Sequence, residues 1–116
     1  MRQMLMVGSL LLVSVAAGCA SSPALRTDSS SSAIRAAEEV GASEVPRAAL
    51  HLQLAKEELG RAQGLSEKGE KDQASSMLLR AEADAELAIL LSQEQDEKSD
   101  AMQAMERVRQ LRNDNR

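Results

Sequence analysis

The chain has 116 residues, one cysteine, no aromatic side chain and a net charge of −4 at pH 7. This length suits one small domain, and the acidic balance argues against nucleic acid as the main partner. Without Phe, Tyr or Trp the chain cannot stack on bases or sugars or hold a cation against a ring face. We therefore expect no nucleic-acid partner, no cofactor and no small-molecule substrate.

Residues 1–18 have the organisation of a secretory signal peptide, which is removed from the mature protein. Arg2 supplies an early positive charge, and an apolar segment follows that is too short for a membrane-spanning helix of ~20 residues. Small residues then lead to Gly18 and Cys19. We predict cleavage between Gly18 and Cys19. An ordinary signal-peptidase cut, with Cys19 as a bystander, is the alternative.

The small residues before Cys19 resemble the lipobox of bacterial lipoproteins, in which the thiol receives a diacylglyceryl group. This resemblance implies that Cys19 is the lipid attachment site and that the N-terminal lipid holds the protein on a membrane. Ala20 and Ser21 follow, without Asp at the second mature position, which resembles the sorting pattern for the outer membrane in Gram-negative bacteria. We expect the protein on the periplasmic face of that membrane. With one Cys and one His, we expect no metal site.

The serine-rich segment 19–32 is predicted to be a flexible tether, with an end-to-end distance of roughly 20 Å. A short helix is predicted over residues 33–40, with Ser32 as its N-cap and Gly41 as its terminator. A helix of this length needs to dock on another element, because it is not stable alone in water.

A second helix is predicted to begin at Pro46 and to end near Lys68, with Gly69 as a left-handed cap. Its apolar positions are separated by steps of three and four residues, which is typical of a packing seam between two helices. The seam positions are Val45, Ala48, Leu52, Ala55, Leu59 and Ala62. Leu50 and Leu54 are expected to widen this apolar face.

A third helix is predicted to begin near Glu70, with the same spacing of apolar positions. Its seam positions are Ala74, Leu78, Ala81, Ala85 and Ala88, and Met77, Leu79, Leu87 and residues 89–91 are expected to broaden it. Two matched seams across a tight turn predict an antiparallel helical hairpin. The fold class is therefore all-α, with a short preceding helix, a long C-terminal helix and coiled-coil-like or tetratricopeptide-like packing.

The chain changes character after Leu91. Residues 92–100 are polar on every face, so they form either a solvated helix or a break at Ser99 and Asp100. Apolar spacing then resumes, and the predicted interaction face consists of Met102, Met105, Val108 and Leu111. A continuous third helix would exceed its hairpin partner by about 30 Å. This mismatch predicts a homo-oligomer or a protein partner in the cell envelope. The helical domain is predicted to span 33–112, with a disordered tail at 113–116.

Three groups of polar residues are candidate sites. His51 lies on the flank of the second helix, where a surface position without catalytic neighbours is expected. The acidic cluster of Glu82, Asp84 and Glu86 is interpreted as a solvated face, with a cation-binding or partner-facing edge as the alternative. The C-terminal arginines suit the negative end of a helix, with contact to anionic lipid, cell-wall polymer or acidic protein as the alternative. These arginines are Arg107, Arg109, Arg112 and Arg116.

Residues 33–111 resemble the bacterial family called domain of unknown function 4398. The segments that carry this resemblance are Ala36-Ala37-Glu38, Val45-Pro46, Ala55-Lys56-Glu57-Glu58-Leu59, Gly69-Glu70-Lys71-Asp72-Gln73-Ala74 and the Ala-rich segment 79–88. The resemblance implies a short helical lipoprotein or periplasmic module and no particular activity. We expect a structural or adaptor protein and not an enzyme. The alternative is a binding module that holds a peptide or cell-wall ligand in the groove of the hairpin.

Overall fold

The computed structural model describes residues 27–116, and every regular element in that range is helical. The elements are α1 (Thr27–Glu39), a 3₁₀ turn (Ala42–Glu44), α2 (Pro46–Glu67) and α3 (Lys71–Asp114). The helices α2 and α3 form an antiparallel hairpin, and α1 packs against both of them, mainly against α3. The predicted all-α fold class is confirmed. The predicted signal peptide, the lipid attachment site at Cys19 and residues 20–26 of the predicted tether lie outside the described residues.

The first helix begins at Thr27, six residues before the predicted start at Ala33. Residues 27–32, assigned to the tether from their serine content, are therefore its first turns, and Ser32 is not an N-cap. The reason lies in packing, because Ser30, Ile34 and Ala37 are buried in steps of four and three residues. Ser30 Oγ also donates a hydrogen bond to the carbonyl oxygen of Leu78 at 3.0 Å. This docking on α3 outweighs the modest helix propensity of serine.

Replacing Ser30 with Ala is expected to weaken the docking of α1. The variant loses the hydrogen bond to Leu78 and should lower the free energy of unfolding by about 1 kcal/mol. The measurement is urea denaturation followed by circular dichroism. The matched control is Ser32→Ala, because Ser32 is exposed on the same helix. Equal stability of both variants would show that the buried hydroxyl group contributes nothing to docking.

The turn between α2 and α3 has the cap predicted at Gly69. Gly69 adopts a left-handed φ of 80°, which glycine tolerates without strain. The N–H of Glu70 donates to the carbonyl of Leu65 at 2.9 Å, and the N–H of Gly69 donates to that of Ser66 at 3.0 Å. These two bonds form a Schellman motif. Gly41, with a φ of 74°, ends α1, and α2 begins at Pro46 as predicted.

The hairpin core is narrow and rich in alanine. On α2 the buried seam residues are Ala48, Leu52, Ala55 and Ala62, and on α3 they are Ala74, Leu78, Ala81, Ala85, Ala88 and Leu91. The predicted seams are thus confirmed, with Val45 and Leu59 half-buried at the edge. The predicted widening of the core is wrong for Leu50, Leu79 and Leu90, which are 57–69% exposed. Leu50 lies about 200° around α2 from the buried Leu52, and Leu90 lies about 200° around α3 from the buried Ala88, so these side chains are away from the seam. Leu79 is about 100° from the buried Leu78, on a side of α3 that the other helices leave exposed.

The third helix continues without a break to Asp114, over 44 residues or about 66 Å. Residues 92–100 are helical, so the solvated helix is the one of the two open alternatives that the structure has. The helix also includes Asn113 and Asp114, the first two residues of the predicted tail at 113–116. An ion pair of 2.6 Å between Lys98 and Glu94, four residues apart, supports this polar segment. The second helix has 22 residues, or about 33 Å, so half of α3 extends past its partner.

Candidate functional site

The second half of α3 extends past the hairpin and is exposed to solvent. Burial on α3 ends at Ser92, and we call residues 93–114 the arm. Every arm residue is exposed except the half-buried Ser99. All four residues of the predicted interaction face lie here, and Met102, Met105, Val108 and Leu111 are 49–65% exposed. Large apolar side chains grouped on a solvated helix are a common mark of an interaction surface.

The four predicted interaction residues do not form one line along the arm. Each step of three residues turns the helix by about 300°, so three such steps spread the side chains over half of its circumference. The line with the spacing of a packing seam contains Ala101, Ala104, Val108 and Leu111. Met105 borders this line and Met102 lies away from it. Two exposed alanines thus share a line with Val108 and Leu111 on the continuous α3.

The C-terminal end of the arm is basic. Residues 106–116 contain Arg107, Arg109, Arg112 and Arg116 against Glu106 and Asp114. Arg109, Arg112 and Arg116 adjoin the apolar residues Met105 and Val108 in one open depression. Positive charge is favourable at the negative end of a helix, but it also suits an acidic partner surface.

A second polar group lies on the hairpin, on the side away from α1. Ion pairing of Lys56 with Glu38 marks the side of α2 that faces α1, and His51 lies about 140° around α2 from Lys56. Nδ1 of His51 donates a hydrogen bond to Oδ1 of Asp84 at 2.7 Å. His51 was expected to have no distinctive neighbour, and this expectation is wrong. The pair links α2 to α3 at the partly buried edge of the seam.

Glu58 lies two turns after His51 on the same side of α2, near Asp84. Its Oε2 atom is buried and has no hydrogen-bond partner. Burial is the main reason why the pKa of Glu58 is raised, and the negative charge of Asp84 raises it further. Arg80 and Arg61 act in the opposite direction but do not cancel the effect. The cluster thus holds a carboxyl group whose charged form is disfavoured in the folded protein.

Comparison with known families decides the classification. The family model named Domain of unknown function (DUF4398) matches residues 26–104. The chain belongs to this family. Comparison with curated proteins found no match, and comparison with solved structures found none either.

The DUF4398 match covers only the first part of the arm. It begins one residue before α1 and covers the hairpin, but it ends at residue 104. Met105, Val108, Leu111 and the four C-terminal arginines therefore lie beyond the matched part of the DUF4398 domain. In the described residues no three His, Cys, Asp or Glu side chains are grouped to hold a metal ion. None of the helices described here combines the length and apolar character that a membrane crossing requires.

Replacing Glu58 with Gln is expected to stabilise the DUF4398 domain at neutral pH. A raised pKa in the folded state means that the folded protein prefers protonated Glu58, so stability is lost as pH rises through that pKa. Gln keeps the shape without the charge and should add roughly 0.5–1 kcal/mol at pH 7.5. Below the pKa of an unfolded Glu, ~4.3, the gain should vanish because Glu58 is protonated in both states.

Urea denaturation at pH 7.5 and at pH 3.5 measures this difference. The control is Glu57→Gln, because Glu57 is exposed and its contacts, a 3.8 Å pair with Arg61 and a 3.1 Å hydrogen bond from Gln53, lie at the surface. A stabilisation of the Glu58 variant that persists unchanged at pH 3.5 would contradict the charge-based explanation.

Sequence reasoning missed this cluster, although one signal for it was present. His51 and Glu58 are seven residues apart, which places them on one side of α2 next to the predicted seam. Pairing the two predicted seams in antiparallel order would have brought Asp84 to the same edge. The acidic group was instead interpreted as a solvated face, and this holds for exposed Glu86 but not for Asp84.

Proposed function

We propose that this protein is a non-catalytic, lipid-anchored structural or adaptor protein on the periplasmic face of the bacterial outer membrane. The lipid on Cys19 attaches it to the membrane, and the arm of α3 binds a second component. The observation that carries this proposal is the arm itself, because about 33 Å of helix with exposed apolar residues extends past the hairpin. A helix of this kind is stabilised when another surface covers its apolar side.

The start of α1 and the end of the arm lie far apart in the molecule. The hydrogen bond from Ser30 to Leu78 places the start of α1 beside the middle of the hairpin. The chain from Cys19 to Thr27 can extend at most about 28 Å from there. Leu111 lies about 50 Å from Leu78 along α3. The attachment point and the interaction face are thus far enough apart for the protein to reach a component that is not at its own anchor.

A peptide or cell-wall ligand in the hairpin groove is a second candidate function. The side of the hairpin away from α1 is uncovered and has a shallow depression near the turn, lined by Leu65, Met77, Arg61 and Lys68 among others. Two cationic side chains beside an apolar floor would suit an anionic group on an extended ligand. Of the two candidates the adaptor function is favoured, because the exposed arm is a much longer surface than this depression, which on α2 involves only the last two turns.

Photocrosslinking in cells tests the adaptor function. A photoreactive amino acid is placed at Met105 in the full-length protein, and at Glu57 on the hairpin as an exposed control. We expect a defined adduct from Met105 and none from Glu57. An adduct only from the hairpin, or binding to purified peptidoglycan that is lost in Arg61→Ala, would favour the ligand-binding alternative instead.

A further inference from the structure

One continuous stripe of seam-spaced residues runs along the outer side of α3, from the hairpin onto the arm. We call it the outer stripe. Its members are Leu87, Leu90, Glu94, Glu97, Ala101, Ala104, Val108 and Leu111. Successive members are three and four residues apart, as in a two-helix coiled coil. All of them are exposed, because Leu87 lies about 200° around α3 from the buried Ala85 and this side faces neither α1 nor α2.

The outer stripe has mirror symmetry about residue 99. Leu87 is as far from residue 99 as Leu111, and Leu90 as far as Val108. In the centre, Glu94 corresponds to Ala104 and Glu97 to Ala101. When two copies of such a helix lie antiparallel, each member faces its mirror position on the other copy. Leu then meets Leu or Val at both ends, and each central Glu faces an Ala that leaves room for its aliphatic stem.

We propose that a second copy of this chain covers the outer stripe, in an antiparallel homodimer with residue 99 at its two-fold axis. The two α3 helices would overlap over residues 87–111, or about 37 Å. The hairpins project to opposite ends, so α1 and α2 remain outside the contact. In the proposed function, the second copy would be the component that the arm binds. The dimer rests on the proposed function only in this respect, because pairing of the outer stripe does not require the lipid.

The charge distribution along α3 favours this register. Residues 106–116 have four arginines against two acidic residues, and residue 99 as the centre places them opposite residues 82–92. The charged residues of that opposite segment are Glu82, Asp84 and Glu86, all of them acidic. Of these, Asp84 pairs with His51 and Glu82 accepts a hydrogen bond from Ser29, whereas Glu86 is exposed and its mirror position is Arg112. One pair of opposite charges therefore meets at each end of the dimer. A parallel dimer would instead place the arginines of both copies side by side.

In the central part of the contact, like charges repel each other and work against association. Residues 93–105 contain four acidic residues and Lys98, and in the antiparallel dimer this segment faces the same segment of the second copy. Lys98 already pairs with Glu94, which removes part of this repulsion. The register is therefore determined by the ends, where exposed apolar residues and opposite charges coincide.

Disulfide crosslinking of the full-length protein in an oxidising periplasm tests the register. The double variant Leu90→Cys, Val108→Cys places thiols at mirror positions of the outer stripe. Within one chain these positions are about 27 Å apart on one helix, which is too far for a disulfide with Cα atoms within about 7 Å. We expect a covalent dimer from the double variant. Each single variant should give no more covalent dimer than the wild type, which also controls for any unlipidated Cys19.

The single variants separate the competing arrangements. A parallel dimer in register would crosslink Val108→Cys to itself, whereas the antiparallel register separates the two copies of this position by about 27 Å. Dimer from Val108→Cys alone would therefore overturn the proposal. So would a double variant that stays monomeric or forms disulfides only with other proteins. Both substituted positions are exposed, so folding is expected to be retained and is checked by circular dichroism.

A mass measurement of the detergent-solubilised protein gives an independent answer. The double variant Val108→Glu, Leu111→Glu should convert the dimer to a monomer. Leu50 is exposed on α2, away from the proposed contact, so Leu50→Glu should leave the protein dimeric. A wild-type protein that is monomeric at every concentration tested would overturn the dimer. Membrane fractionation of the same samples reports on the anchor separately. An anchored monomer would contradict only the dimer, and an unanchored dimer would contradict only the anchor.

Discussion

Replacing Leu78 with Ala is expected to lower the free energy of unfolding by about 2–5 kcal/mol. Leu78 is only 4% exposed and lies in the α3 seam, where few other large side chains fill the core. Its carbonyl oxygen also accepts the hydrogen bond from Ser30, so a cavity here disturbs the docking of α1 as well. Because small domains have only about 5–15 kcal/mol of stability, this variant should be close to unfolding at 37 °C.

The neighbouring residue provides a matched control for this experiment. Leu79 is 69% exposed, so Leu79→Ala removes the same atoms without leaving a cavity. Its effect should be within about 0.5 kcal/mol. Urea denaturation of both variants gives the two free energies. Similar losses for Leu78→Ala and Leu79→Ala would mean that the outer side of α3 is covered in solution, and the seam would then not be the main source of stability.

Replacing Cys19 with Ala is expected to release the protein from the membrane fraction and to abolish acyl labelling. Each buried methylene group of an acyl chain contributes about 0.8 kcal/mol to membrane binding, so stable attachment needs more than one chain. A lipidated N-terminal cysteine would supply them. Most of the wild-type protein should therefore sediment with membranes, and most of the variant should not.

Metabolic labelling with a fatty acid and fractionation of the envelope measure both effects. Ser21→Ala is the control, because it changes a neighbouring residue without removing the thiol. A Cys19→Ala protein that remains unlabelled but still sediments with membranes would contradict the anchor as the reason for localisation. Its arm would then be the next candidate for membrane attachment, because the arginines adjoin exposed apolar residues there.

Local patterns in the sequence predict most of the hairpin. The alternation of three and four residues from Ala48 to Ala62 and from Ala74 to Ala88 depends only on helix geometry, and these seams are buried. Pro46 and Gly69 are equally local signals, because one has a restricted φ and the other permits a positive φ. Such features can be predicted because neighbours along the chain, rather than distant contacts, produce them.

Distant contacts produced the features that were not predicted. Serine content indicated a tether at residues 27–32, but Ser30 is buried against α3 and its hydroxyl group bonds to Leu78. Composition also could not show that Leu90 lies outside the core, since this depends on which side of α3 the other helices α1 and α2 cover. The pairing of His51 with Asp84 likewise joins residues 33 positions apart.

The candidate site combines both kinds of information. The exposed residues Met102, Met105, Val108 and Leu111 were identified from the sequence, because a long amphipathic helix beside a short partner leaves one side uncovered. Which of them share a line, and whether that line continues onto the hairpin as far as Leu87, depended on an unbroken α3. The sequence left residues 92–100 open, because a polar segment is compatible with both a solvated helix and a break. Continuity follows from the tertiary arrangement, in which a helix already held by the hairpin adds further turns without a new nucleation cost.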